Sequence, residues 1–321
     1  MAASDRRPVR VAVIGVGSLG QHHARIYASL PEARLQAVVD TDLDRAAAIA
    51  ARHGVLALAS HRDLPRDLDA VSVAVPTSAH APIVAACLER GLAVLVEKPM
   101  AATLEEAASM TRAAARAGRP LCVGHTERFN PIVRAARRRV RDPRFIETHR
   151  LGAFTARGTD VDVVLDLMIH DLDVILSLVP SRIASIDSVG VHALTDKVDI
   201  ANARLRFEND CVANVTASRI STERVRKLRV FESESYLSID YARQEGVIYT
   251  LRRSPGAPPE IVREPIEAEN EEPLQAELRA FLRSVRGEDA PVVTGEEGLR
   301  ALETALRVVE QIAAAARQTR S

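Results

Sequence analysis

The chain has no tryptophan, six phenylalanines and four tyrosines in 321 residues, and three cysteines. Cys87, Cys122 and Cys211 stand far apart, without the paired spacing of a metal site, and an odd number argues against a disulfide framework. No apolar run approaches the roughly 18 residues of a membrane span. The opening residues are polar and lack the apolar centre of a signal peptide. Charge of one sign is absent too: 43 Lys and Arg balance 43 Asp and Glu, so no net field draws nucleic acid or an anionic membrane. These absences point to a soluble, cytoplasmic protein with neither partner. An apolar content of 47% supports a sizeable core, and the length fits two domains.

The most informative stretch is Val-Ala-Val-Ile-Gly-Val-Gly-Ser-Leu-Gly, residues 11–20. Val11 to Ile14 read as a buried parallel strand, and Gln21 to Leu30 as a helix. Between them Gly15, Gly17 and Gly20 have the G-x-G-x-x-G spacing. That spacing gives a tight turn, close backbone approach to a pyrophosphate, and close packing of helix on strand. Ser18 and Leu19 complete the loop. A second strand, Leu35 to Val39, ends in Asp40, where an acid grips the ribose hydroxyls. The alternative is a tight turn without a ligand.

Strands and helices then alternate. Val55 to Ala59, Ala70 to Val75, Ala93 to Val96 and Leu121 to Val123 read as strands. Leu43 to His53, Ala79 to Arg90 and Leu104 to Ala117 read as helices. Thr103 and Glu106 form a capping box for the last of these. The pattern predicts a doubly wound parallel sheet over residues 1–121. Beyond it, Arg128 to Arg141 and Asp162 to Leu178 read as helices and Phe145 to Leu151 as a strand. From Ile183 to about Thr250 the signals are consecutive strands with short turns, which predicts an antiparallel sheet. Arg253 to Pro259 reads as a loop, and Leu274 to Val285 and Glu296 to Ala316 as closing helices. Residues 122–321 thus form a second, α+β domain.

Ligands of an open parallel sheet bind beyond the carboxyl ends of its strands. Two further strand ends carry polar residues: Pro76, Thr77 and His80, and Glu97-Lys98-Pro99. Lys98 lies where an ammonium can donate to a substrate hydroxyl and favour the developing alkoxide; the alternative is a plain surface lysine. His80 reads equally as an ordinary helix-start residue. In the second domain Asp166, His170 and Asp173 are spaced i, i+4, i+7 on one helical face. A carboxylate one turn from an imidazole raises its basicity, the layout of a general base and its orienter. A surface ion pair and a metal site using Asp162, Asp166, His170 and Asp173 are the alternatives; the reading taken here has no metal.

With these motifs in hand, the chain resembles the Gfo/Idh/MocA family of NAD(P)-dependent sugar and polyol oxidoreductases. The resemblance covers nearly the whole chain and implies that Lys98, Asp166 and His170 are catalytic. It implies NAD as cofactor, contacted by Gly15, Gly17, Ser18, Leu19, Gly20, Asp40, Pro76, Thr77, His80, Glu97 and Lys98. It also implies a Rossmann-type domain followed by an open sheet whose free face joins a homodimer or homotetramer. One departure is Met168, where the family usually has glycine. Within the family, Gly124-His-Thr-Glu-Arg-Phe-Asn-Pro131 and Leu167 to Asp173 are similar to the branch that oxidises the 3-hydroxyl of UDP-N-acetylglucosamine. In that branch an aminotransferase partner follows, in some bacteria for lipid A. Arg128, Asn130 and Arg157 are then candidate substrate contacts, because arginine forks suit a diphosphate. Asp40 favours NAD over NADP, since a 2′-phosphate would meet its charge; Arg45 on the next helix softens that preference. A polyol or inositol-type dehydrogenase is the rival within the family. A dinucleotide-sensing regulator is the rival outside it, and Lys98, Asp166 and His170 together argue against it.

Overall fold

A computed structural model of the chain describes residues 7–154, 161–255 and 257–318. Two compact units emerge, Met1–His125 with Leu274–Leu299, and Thr126–Pro273 with Arg300–Ser321.

The first unit is built on six parallel strands: β1 (Val9–Ile14), β2 (Ala33–Val39), β3 (Leu56–Leu58), β4 (Ala70–Val73), β5 (Ala93–Glu97) and β6 (Leu121–Gly124). Their order is β3-β2-β1-β4-β5-β6. It reverses between β1 and β4, the switch point at which doubly wound sheets bind ligands. Every residue of β4, β5 and β6 is buried, as expected for a sheet covered on both faces. The helices are α1 (Gly20–Ser29), α2 (Leu43–His53), α3 (His80–Glu89) and α4 (Leu104–Ala117). Local chemistry sets their ends. Asp42 accepts the Arg45 backbone N–H at the start of α2, and the expected Thr103/Glu106 capping box opens α4.

One segment of this unit comes from far along the chain. The helix Pro273–Val285 sends Leu278, Phe281 and Leu282 into the same core as Val11, Val13 and Leu95. A single boundary at residue 121 does not include this return. The apolar stripe of an amphipathic helix announces that it packs, but not against which core.

The second unit holds eight strands: β7 (Phe145–Leu151), β8 (Ile183–Val191), β9 (Ile200–Phe207), β10 (Val212–Ser218), β11 (Val225–Phe231), β12 (Ser235–Asp240), β13 (Glu245–Arg252) and β14 (Glu260–Pro265). The order is β14-β13-β12-β11-β7-β10-β9-β8, antiparallel except for the parallel pair β7/β10. Alternation sets the faces. In β9, Ala201, Ala203, Leu205 and Phe207 are buried while Asn202, Arg204 and Arg206 are exposed. The buried face packs with Ile132 and Val133 of α5 (Pro131–Arg139), Ile169 and Leu172 of α6 (Ile169–Leu178), and Ala301, Ala305 and Val308 of the closing helix Gly295–Gln318. β14 is an addition to the sequence reading. Its side chains are mostly exposed, so it is held by backbone pairing to β13 rather than by an apolar pattern.

The scarce aromatics are concentrated. Phe145, Phe231, Tyr236 and Tyr249 form a ladder across β7, β11, β12 and β13, with ring centroids 5.6, 4.6 and 5.6 Å apart. Each is half-buried. Every neighbouring pair in the ladder is a cross-strand partner, the geometry in which sheet side chains meet.

A buried carboxylate ties the loop between β8 and β9. Asp199 Oδ2 accepts the backbone N–H groups of Ala193, Leu194 and Thr195 at 2.9, 2.7 and 2.9 Å, and Oδ1 accepts the Thr195 hydroxyl at 2.7 Å. Burial works against the charge, but these donors outweigh it and hold the carboxyl well below the usual aspartate range. A depressed carboxylate contributes stability that is present above its unfolded pKa, about 3.9. That stability is lost as pH falls toward the folded value. Asp199→Asn is therefore expected to lower the melting temperature near neutral pH, with a gap that narrows as pH falls below about 4. Melts of both proteins across the acid range check this; a gap independent of pH counts against the carboxylate charge.

Candidate functional site

In the first unit the glycine loop follows β1 and runs into α1. Gly15 has φ +82°, and a Cβ there would lie 2.5 Å from the Ala74 carbonyl oxygen, so only glycine fits. A Cβ on Gly20 would collide with the Gly15 carbonyl oxygen. Gly17 differs: nothing lies within 4 Å of where its Cβ would be. Its backbone faces open space at the start of a helix, and Ser18 and Leu19 beside it are exposed. This is the donor set and the clearance that a dinucleotide pyrophosphate needs, so the residues present fit that group.

Asp40, at the end of β2, is buried and already engaged. Its Oδ2 accepts the Val16 N–H at 3.0 Å and its Oδ1 the Asp42 N–H at 3.0 Å. Arg45 pairs with it at 3.2 Å and with Asp42 at 2.9 Å. The second strand end is thus fastened to the glycine loop, and an arginine offsets the charge of the acid. A cavity of about 550 Å³ beside it is lined by Gly17, Ser18, Gln21, Arg45 and Arg52, among others.

The other two strand ends are linked to each other. Pro76 precedes a short 3-10 turn, Thr77–Ala79, that leads into α3. His80 is buried. Its Nε2 lies 2.9 Å from the Val75 carbonyl oxygen and its Nδ1 3.1 Å from that of Pro99. The sequence reading put His80 against the cofactor; here both ring nitrogens face backbone carbonyls inside the unit. Glu97 ends β5 as a buried carboxylate. Burial would raise its pKa, but His23 at 3.0 Å and the positive charge of Lys98 bring it below its ordinary value. Lys98 follows, half-buried, joined to Pro99 by a cis peptide.

In the second unit the helix expected over Asp162 to Leu178 is in two parts. Val164–Met168 is a π-helical turn and α6 follows from Ile169. π turns shift side-chain register and recur at functional sites. Asp166, in the π turn, and His170, in α6, are both half-buried. Asp173, expected on the same face, is 2% exposed and pairs with Arg128 at 3.3 Å. Asp162 Oδ1 accepts the Val198 N–H at 3.0 Å. Asp162 and Asp173 are therefore engaged within the protein. Among the described residues no group of three or more His, Cys, Asp or Glu side chains could hold a metal ion.

Arg128 and Asn130, expected at a substrate diphosphate, are both buried. Asn130 caps α5 by accepting the Ile132 N–H at 3.3 Å and donates to the Tyr241 carbonyl at 3.0 Å. The Asp173 partner of Arg128 lies 45 positions away and has no local signal. Arg157 lies outside the described residues.

Sequence reasoning missed the charged cluster beneath α6. Arg150 of β7 donates to Asp171 through Nε at 2.6 Å and Nη2 at 3.2 Å, and to Glu127 through Nη1 at 2.9 Å. Its guanidinium stands 5.3 Å from the centre of the Tyr241 ring. Burial works against this cation, but Asp171 and Glu127 outweigh it and raise its pKa further. Asp171 adjoins His170 in sequence, so the cluster fastens the helix that carries His170 to the sheet. The only local signal was an arginine at an inward position of a strand.

Residues 9–125 match the oxidoreductase family with an NAD-binding Rossmann fold, and residues 132–238 match the Gfo/Idh/MocA C-terminal domain. A UDP-N-acetylglucosamine 3-dehydrogenase of Acidithiobacillus ferrooxidans is 36% identical over 304 residues, covering 94% of this chain and 96% of that one. Its solved structure has a TM-score of 0.90 at 35% identity, over 96% of this chain and 99% of that one. A scyllo-inositol 2-dehydrogenase (NAD(+)) of Bacillus subtilis is 28% identical over 307 residues, 89% of each chain. With the strand order, the glycine loop and matches across both units, the chain belongs to the Gfo/Idh/MocA family of NAD-binding oxidoreductases.

Proposed function

We propose that this chain oxidises the 3-hydroxyl of UDP-N-acetylglucosamine, with NAD as acceptor, to give a 3-keto sugar nucleotide. The observation that carries this is the similarity over nearly its full length to a dehydrogenase of that name. In this reading Lys98 donates to the reacting oxygen and favours its alkoxide character. The His170 imidazole accepts the hydroxyl proton, with Asp166 as the carboxylate that tunes it. Bound NAD takes the hydride. Arg128 acts indirectly: its ion pair with Asp173 steadies α6. The 3-keto product suits a cytoplasmic aminotransferase, and the aromatic ladder on the half-exposed sheet face is our candidate surface for a homodimer or homotetramer.

Asp40 opposes a 2′-phosphate, and Arg45 weakens that opposition without reversing it. NADH is therefore expected to bind more tightly than NADPH, with Arg45→Ala widening the gap, as read by fluorescence titration. The same preparation, given NAD and a trapping aminotransferase, is expected to convert UDP-N-acetylglucosamine and to leave free glucose and inositols unchanged. A nucleotide and diphosphate held away from the reacting carbon orient the ring, and a free sugar lacks that anchor. Turnover of an inositol with no 3-keto or 3-amino sugar product would replace this reading with the polyol one.

A further inference from the structure

Two buried histidines flank Glu97-Lys98-Pro99, and the chemistry above uses neither. His23 is the fourth residue of α1 and His80 the first of α3; each is 1% exposed.

On the amino side of Lys98 the contacts run in series. His23 Nε2 lies 3.0 Å from Glu97 Oε1, and Glu97 Oε2 accepts the backbone N–H of Lys98 at 3.3 Å. The carboxylate fills its space fully: a Cβ on Gly124 would come within 3.0 Å of it. On the carboxyl side His80 is set between the Val75 and Pro99 carbonyls. Burial pushes its imidazole below the ordinary value, so the neutral ring donates to one of the two carbonyls in each tautomer. Proline has no N–H, so its carbonyl is the one backbone group through which Pro99 can be hydrogen-bonded. Burying a carboxylate and two imidazoles is expensive, and apolar side chains would pack the same space more cheaply. What the polar arrangement supplies is direction. A lysine carries its charge on a flexible four-carbon stem, so the reach of its ammonium depends on where its backbone is held.

We propose that His23 and His80 are positioning residues for Lys98: His23 through Glu97, and His80 through Pro99, clamp the backbone on its two sides. The proposal rests on the reading of Lys98 as the group that donates to the substrate oxygen. A displacement of about 1 Å at such a group can cost about 10²-fold in rate.

The test combines kinetics with hydrogen exchange. His23→Leu and His80→Leu are each expected to lower kcat for UDP-N-acetylglucosamine about 10–100-fold, with the dissociation constant for NADH nearly unchanged. His23→Gln keeps an amide donor toward Glu97 and recovers most of the activity. In a Lys98→Ala background the same histidine changes have little further effect, because residues that act as a unit are not additive. Independently of any substrate, the Lys98 amide exchanges faster in His23→Leu and is protected again in His23→Gln. If the leucine variants fail to fold, His23→Gln and His80→Asn carry the same comparison in both backgrounds. Losses that add fully to that of Lys98→Ala, or an unchanged Lys98 amide in a folded His23→Leu, overturn the proposal alone. A Lys98→Ala enzyme with wild-type turnover removes the reading of Lys98 and the proposal with it.

Discussion

Lys98→Ala is expected to lower kcat by about 10²–10⁴-fold, the range for losing a group that handles charge or a proton in the transition state, while NADH binds nearly as before. The size follows from when the interaction is made. As the C–H bond breaks, the substrate oxygen gains negative character, and a nearby ammonium then stabilises it more than it stabilised the hydroxyl. Only this difference accelerates the step. The bound state is expected to change little, because the glycine loop and Asp40, proposed to hold the dinucleotide elsewhere, are untouched. Lys98→Arg should also be poor: a planar guanidinium on a longer stem places its donors differently from a point charge. Steady-state kinetics with a parallel NADH titration separate the two effects. Wild-type turnover in Lys98→Ala would leave the lysine an ordinary loop residue.

Arg150→Met is expected to be the most destabilising single change in the second unit, by about 3–5 kcal/mol. For a unit of this size that is a fall in melting temperature on the order of 10 °C. Arg150 is buried between Asp171 and Glu127. Removing it leaves Asp171 unpaired in the interior and Glu127 without its partner, and the penalty is the cost of those stranded charges rather than the worth of the pair. The reverse change is milder. Asp171→Asn keeps an oxygen toward the guanidinium and leaves Glu127 to balance it. Replacing Arg150 and Asp171 together with apolar residues recovers part of the loss, since no unpaired ion remains between them. Thermal melts of the single and double variants at one pH measure the order. Equal losses from Arg150→Met and Asp171→Asn would show that packing, not charge, governs the site.

The sequence by itself determined the features whose cause is local. Strands β4 to β6 are continuous apolar runs. The Thr103/Glu106 box is a four-residue pattern. The Gly15, Gly17 and Gly20 spacing is a six-residue pattern. The glycine spacing, the strand-end place of Glu97-Lys98-Pro99 and the spacing of Asp166, His170 and Asp173 could be read in the chain; their meaning as family motifs is what the resemblance implies. Tertiary structure decided whatever depends on partners distant in the chain. Arg128, a candidate substrate fork in the sequence, meets Asp173. His80, apparently facing a ligand, is held by two carbonyls. His23 reaches Glu97 across 74 positions, and the helix Pro273–Val285 joins a core begun at Val9. Helix and strand periods record which face of an element turns inward, because side-chain direction repeats every few residues. They carry no record of what that face meets, and a charged side chain's role is set by the partner it finds there.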